Sequence, residues 1–125
     1  MKRHLDLLRD ILLRLEQHPT YTVSGITMDG TLLDFANYSA EVTSYHLNLL
    51  VEVGWLRLQS APFEDAGSIV VRAQLSWHGH EFLALARDAR RWQEALAQLG
   101  TTDNVTLLEM VLLELAKQYL AHKEA

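Results

Sequence analysis

Cysteine is absent from the 125 residues. That excludes a disulfide framework, a thiolate metal site and a cysteine nucleophile, and it is compatible with a reducing compartment. Long apolar runs are absent as well. No stretch approaches the ~20 residues that cross a bilayer. The opening Met1-Lys2-Arg3-His4 leads into a pattern interrupted by Asp6, Asp10 and Glu16, unlike the unbroken apolar segment of a secretory signal. The expectation is a cytoplasmic chain with no membrane partner. Positive charge is the third shortage. Lys and Arg number 11 against 16 Asp and Glu, a net charge of −5 with histidines neutral. A domain that grips nucleic acid non-specifically presents a basic face, although phosphates meet only local charge, so its distribution matters more than its sum. Neither a Gly-x-Ser-x-Gly elbow nor a phosphate-cradling glycine loop occurs. The chain is therefore expected to be no enzyme and to need no cofactor.

What is present is enough apolar material for one core: 49% of the residues are hydrophobic, and 125 residues suit one domain. Leu5, Leu8, Leu12 and Leu15, widened by Ile11, recur at helical spacing and predict a helix over 2–17, ended by His18-Pro19. Residues 20–33 combine Tyr21-Thr22-Val23 and Ile26-Thr27-Met28 with an Asp29-Gly30 turn signal, which reads as a strand or hairpin. Leu32 to Ala36 leaves room for about one helical turn. A second helix over 39–53 starts with Ser39 as N-cap and Glu41 in the first turn. Its stripe is Val42, Tyr45, Leu49 and Val53, with His46 and Leu50 beside it, and Gly54 closes it. Trp55–Leu58 and Ile69–Leu75 then read as a hairpin around a loop over 59–67. A single helix is predicted from about Gly79 to Leu99 on the seam Phe82, Leu85, Ala89, Trp92, Leu96 and Leu99. After Gly100 a last helix runs to about His122, capped by a Thr106/Glu109 box or by Asp103.

The predicted fold class is α+β and mainly helical: a winged helix-turn-helix over 1–100 with a small antiparallel hairpin as wing. A C-terminal helix over 101–125 either packs on the same domain or forms a dimer interface. Several blocks carry a resemblance: Met1-Lys2-Arg3 with Leu5-Asp6-Leu7-Leu8-Arg9 and Ile11-Leu12; Tyr45-His46-Leu47 with Leu49-Leu50, Glu52 and Gly54; and Leu75, Trp77 and Gly79-His80-Glu81-Phe82-Leu83. Over roughly the first 92 residues the chain resembles an uncharacterised family of small bacterial and prophage winged-helix proteins, domain of unknown function 2513. Gly-His-Glu-Phe-Leu is its most specific block. Val53 and Trp55 stand where such proteins more usually carry Ala and Leu. The resemblance implies the fold and a mobile-element setting, and no activity.

In a DNA reader the helix 39–53 would enter the groove. Thr43, Ser44, Tyr45 or His46, and Asn48 are then the outward candidates, with Arg57 and Arg72 on the phosphates. Against this, the helix holds no Lys or Arg and carries Glu41 and Glu52, and the hairpin tip adds Glu64 and Asp65. The competing reading is a core-packing helix with a solvated polar side. Arg87, Arg90 and Arg91 fall at i, i+3 and i+4 and would share one side of a continuous helix. They suit an acidic partner or a phosphate backbone, or else a solvated face balanced by Asp88 and Glu94. Leu108, Val111, Leu112 and Leu115, flanked by Leu107 and Leu120, form the interaction-face candidate of the last helix. A homodimer is expected there, unless the stripe packs within the chain. His78, His80 and Glu81 offer metal-ligand chemistry but lack the i, i+4 placement of a helical zinc motif, so no metal is assigned. Asp6 and Asp10 read as surface ion pairs with Arg3, Arg9 and Arg14. Two functions remain in competition: a phage-type DNA-binding regulator, and a winged-helix module that binds a host or phage protein.

Overall fold

The computed structural model describes residues 2–29, 31–62 and 69–124. Gly30 and the hairpin tip with Glu64 and Asp65 lie outside the described residues. The order is α1 (Leu5–Gln17), β1 (Ile26–Thr27), α2 (Ala40–Glu52), β2 (Leu56–Pro62), β3 (Ile69–Leu75), α3 (Trp77–Ala86), α4 (Ala89–Leu99) and α5 (Val105–Glu124). The three strands form one antiparallel sheet in the order β1-β3-β2, with Ile26 opposite Ala73 and Leu56 opposite Leu75. The fold is thus α+β and mainly helical, as the sequence predicts.

The apolar face of α1 is the centre of the core. Leu7, Ile11, Leu12 and Leu15 are fully buried, and Leu50, Leu56, Leu83, Leu108 and Leu112 join them from α2, β2, α3 and α5. The predicted end holds at α1, which starts at Leu5 rather than at residue 2 and ends at Gln17 with His18 as its C-cap before Pro19, and both boundaries hold at α2. There the Ser39 hydroxyl accepts the Val42 N–H at 3.1 Å, and Gly54 closes the helix with φ of 82°. The Trp55 N–H reaches back to the Leu50 carbonyl at 3.0 Å, a closure that suits glycine because it needs positive φ.

Four expectations are corrected. The segment 20–33 supplies only a short edge strand. Tyr21 accepts the Leu75 N–H on its hydroxyl at 3.0 Å, and residues 31–38 make turns rather than a helix. β2 runs on to Pro62 instead of ending near Leu58; proline is tolerated there because it is the last residue of an edge strand. The predicted single helix over 79–99 begins earlier, at Trp77, and is broken at Arg87-Asp88. Ser76 caps α3, its hydroxyl accepting the Gly79 N–H at 3.1 Å. Asp88 adopts an extended conformation and accepts the Arg91 N–H at 2.9 Å. That side-chain cap starts α4 as a separate helix, because Asp satisfies a helix N-terminus better than a helix interior. Arg9 caps the other side of the break, donating to the carbonyls of Ala86 and Arg87 at 2.7 and 3.1 Å. Finally, α5 is capped neither by Thr106/Glu109 nor by Asp103. The Asn104 side-chain carbonyl accepts the Leu107 N–H at 3.0 Å, and Asp103 instead pairs with Arg3 at 3.2 Å.

The break lets Trp92 meet the core. Trp55 stacks on Phe82 with centroids 4.2 Å apart, and Phe82 meets the Trp92 ring edge-on at 6.2 Å. The Trp92 indole N–H donates to Asp6 at 2.7 Å, with the Arg9 guanidinium 5.5 Å above the ring. Asp6 is thus a partner for a buried indole, not the surface ion pair that its spacing suggests. Asp10, beside Arg9, has its pKa raised by partial burial.

Candidate interaction surfaces

The face that α2 turns inward is Thr43, His46 and Leu50, all buried. The predicted stripe of Val42, Tyr45 and Leu49 is only half-buried, and Val53 is exposed. The helix is therefore rotated by one residue, about 100°, from the expected orientation. His46 explains the rotation. Its Nε2 accepts the backbone N–H of His4 at 2.8 Å, and its Nδ1 lies 2.8 Å from the Val42 carbonyl. A carbonyl only accepts and an amide N–H only donates, so the ring is neutral with its proton on Nδ1. Burial, chiefly, holds the His46 pKa below its ordinary value. The His4 and Tyr38 rings pack around this pair, with His4 5.5 Å from His46 and 5.3 Å from Tyr38.

Two of the five predicted groove-facing residues, Thr43 and His46, are consequently inside the protein. The Thr43 hydroxyl has no hydrogen-bond partner there. Ser44 and Asn48 are exposed, and Tyr45 is half-buried with its ring edge against His46. The outward face of α2 reads Glu41, Ser44, Asn48, Val51 and Glu52, with two carboxylates and no cation. Arg57 is exposed on β2. Arg72 is turned back onto its own sheet edge, donating to the Thr27 hydroxyl at 2.8 Å and to the Gly25 and Ser24 carbonyls at 2.9 and 3.3 Å. It locks β3 to the segment before β1 instead of reaching outward.

The helix break also dissolves the predicted arginine cluster. Arg87 is the C-cap of α3 and pairs with Glu16 at 2.6 Å, which holds its guanidinium strongly protonated. Arg91 donates to the Leu85 carbonyl at 3.1 Å. Arg90 is exposed. Arg90, Arg91 and Tyr119 line an open groove of about 610 Å³ between α4 and the end of α5, where Asp88 and Glu94 offset the charge. The N-terminal residues are pinned to the fold, through Arg3 to Asp103 and through His4 to His46.

On α5 the predicted interaction stripe packs inside the chain. Leu108 and Leu112 are fully buried, Leu115 nearly so, and Val111 is half-buried. Exposed apolar surface lies elsewhere. Trp77 is 75% exposed at the start of α3 and Val53 is 50% exposed at the end of α2. The residue after Gly54 and the N-cap of α3 are joined by the Ser76 N–H on the Trp55 carbonyl at 3.0 Å. On α5, Met110, Leu113 and Leu120 are exposed on the side opposite the buried stripe. Sequence reading missed this second α5 stripe because the inward one is richer in leucine, and it missed Trp77 because a tryptophan ordinarily signals core. His78 and His80 are exposed on α3, and among the described residues no group of His, Asp and Glu is arranged to hold a metal ion. No described helix is long and apolar enough to cross a membrane.

A family model described as Hypothetical protein (DUF2513) matches residues 2–104, ending just before α5. An uncharacterized protein of Haemophilus influenzae is 35% identical over 92 residues, covering 74% of this chain and 73% of that relative. No solved structure matches the chain.

Proposed function

The chain belongs to the DUF2513 family, and from that premise we propose that it is a non-enzymatic winged-helix protein that works by binding another protein rather than by reading duplex DNA. The succession α1, β1, α2, β2, β3 with sheet order β1-β3-β2 supports the winged-helix part. In that arrangement α2 takes the place of the recognition helix and the β2–β3 hairpin that of the wing. The first motif helix is replaced by the turns of residues 31–38. A cytoplasmic location and the mobile-element setting implied by the resemblance belong to the same proposal.

The outward face of α2 carries the functional reading. Affinity for duplex comes mostly from cations that displace phosphate counterions. Here Glu41 and Glu52 flank Ser44 and Asn48, no Lys or Arg stands anywhere in Ala40–Glu52, and Arg72 is occupied within the sheet. An exposed tryptophan and an exposed valine, each next in sequence to the hydrogen-bonded pair Ser76 and Gly54, are by contrast the kind of apolar surface that anchors protein interfaces. The DNA reading retains Ser44 and Asn48, exposed one helical turn apart, and Arg57.

Fluorescence anisotropy with a labelled random duplex at low salt separates the two. No binding is expected up to ~100 µM, the weak end of ordinary non-specific affinity. Binding that weakens steeply with added salt and is lost in Asn48→Ala would overturn the proposal in favour of DNA. For the protein-binding arm, the immobilised chain and its Trp77→Ser variant are compared in a bacterial lysate. A protein retained by the first and lost by the second is expected; identical capture by both removes this corner as the docking surface.

A further inference from the structure

α5 is apolar on two opposite sides. Its inward side, Leu108, Leu112 and Leu115, is covered by α3 and α4. On the outward side Thr106, Met110, Leu113, Lys117 and Leu120 follow one another at steps of four, three, four and three residues. Met110 is 61%, Leu113 46% and Leu120 56% exposed, with Leu107 beside them also exposed. Three of these five positions are apolar, and four-three spacing keeps them facing one partner helix along its length. The seam spans about 21 Å at 1.5 Å per residue. Among the described residues the chain covers only the inward of these two sides.

We propose that this face pairs with α5 of a second copy of this chain, antiparallel, about a two-fold axis near Leu115. Charge selects both the partner and the direction. The seam carries one cation, Lys117, and is flanked by Glu114 and Glu109. Among the described residues Lys117 has no ion-pair partner within its own chain. A parallel pair would place Lys117 against Lys117 of the partner subunit in the middle of the seam, a like-charge contact. The antiparallel pair places Leu113 over Lys117 of the partner subunit and Met110 over Leu120 of the partner subunit. Each lysine then lies beside Glu114 of the partner subunit, twice by symmetry. The surface is self-complementary in this orientation, as a two-fold interface must be. The axis falls in the helix that follows the family match, so the pairing would be a property of this C-terminal helix and not of the matched segment. It stands independently of the nucleic-acid question.

Sedimentation equilibrium of the full chain over ~1–200 µM, the range in which a small helix–helix interface dissociates, is expected to show a monomer–dimer equilibrium. Met110→Asp should abolish the dimer without altering the melting curve measured at a concentration where the parent is monomeric, since that side chain is exposed in the single chain. Lys117→Glu should weaken it about tenfold, the effect of two symmetric like-charge contacts, and adding Glu114→Lys to that variant should restore it. Because the native chain has no cysteine, direction can be read by crosslinking. A mixture of Leu113→Cys and Lys117→Cys chains should form a mixed disulfide, while Leu113→Cys alone should not. Four results would each overturn the proposal: a monomer at every concentration, a dimer indifferent to Met110→Asp, efficient self-crosslinking of Leu113→Cys alone, or no rescue by the double charge exchange.

Discussion

Gly79 sits in the first turn of α3, where its backbone conformation is ordinary for a helix, so replacing it with alanine sets two effects of opposite sign against each other. Helix propensity favours alanine by about 1 kcal/mol. Packing opposes it: a Cβ at this position would lie 2.1 Å from the Trp55 carbonyl oxygen, 3.1 Å from its carbon and 3.5 Å from the Leu75 Cβ. An ordinary contact with the oxygen would be more than an ångström longer, while the approach to the Leu75 Cβ is a normal one. The obstructing oxygen is backbone, and it is held from several sides. It accepts the Ser76 N–H at 3.0 Å, the Trp55 N–H is bonded to the Leu50 carbonyl at 3.0 Å, and the Trp55 ring is stacked on Phe82. Relief therefore means separating α3 from the end of α2 and losing that hydrogen bond. Overpacking costs about 1–3 kcal/mol and the bond about 1 kcal/mol. After subtracting the propensity gain, Gly79→Ala should destabilise the protein by about 1–3 kcal/mol, or lower Tm by up to roughly 10 °C. Urea denaturation followed by tryptophan fluorescence measures this, at unchanged m-value. Gly54→Ala is the control: φ is 82° but no atom lies within 4 Å of the added carbon. It should lose only about 1 kcal/mol for the left-handed conformation. A Gly79→Ala protein as stable as the parent, or Gly54→Ala as the worse of the two, would refute the close approach of Trp55 and α3.

Thr43→Val should stabilise by about 1 kcal/mol in the same assay, because it removes a buried hydroxyl that has no partner while keeping the shape; a loss of stability would show that the hydroxyl is satisfied. His46 makes stability depend on pH. Its folded pKa is held below the ordinary 6.5, by burial first and then by His4, against the opposing hydrogen bond to Val42. Protonation is therefore disfavoured in the folded state. The contribution is complete above about pH 6.5 and is lost progressively as pH falls below that toward the folded pKa. His46→Gln should flatten the stability curve in that window, and an unchanged slope would exonerate His46. Asn104→Ala should cost about 1 kcal/mol through the lost α5 cap, while Thr106→Ala should stay within ~0.5 kcal/mol; the reverse ranking in thermal melts would restore the Thr106 cap.

Where one residue dominates a boundary, the boundary was legible: Pro19 after α1, Ser39 and Gly54 around α2, Gly100 after α4. The helix break was not, because Arg87-Asp88 interrupts no hydrophobic period. Phe82, Trp92 and Leu96 keep helical spacing across it, and only the Asp88 side chain and the distant Arg9 reveal that the carbonyls are capped. That one missed turn produced the arginine cluster, since i, i+3, i+4 placement has meaning only within a continuous helix. The Asn104 cap was hidden by competition with Asp103, which only the long-range contact with Arg3 resolves.

The orientation of α2 bears most on function, and it turns on how a buried histidine is weighed. Ranked by hydrophobicity, Val42, Tyr45, Leu49 and Val53 should face the core, and Thr43 and His46 should face out. But His46 brings two matched hydrogen bonds with it, one to its own helix and one to the start of α1. A satisfied polar ring costs little to bury, while it ties down an N–H at the beginning of α1 that would otherwise need water. The resulting rotation of one residue removes the aromatic and the hydroxyl that would have made the outward face resemble a base-reading surface. It brings Val51 and Val53 toward solvent and leaves Ser44 and Asn48 between two glutamates. Apolar exposure rises at the end of the helix while its outward face keeps no cation for phosphate. Those are the two changes that separate a protein-binding face from a nucleic-acid-binding one.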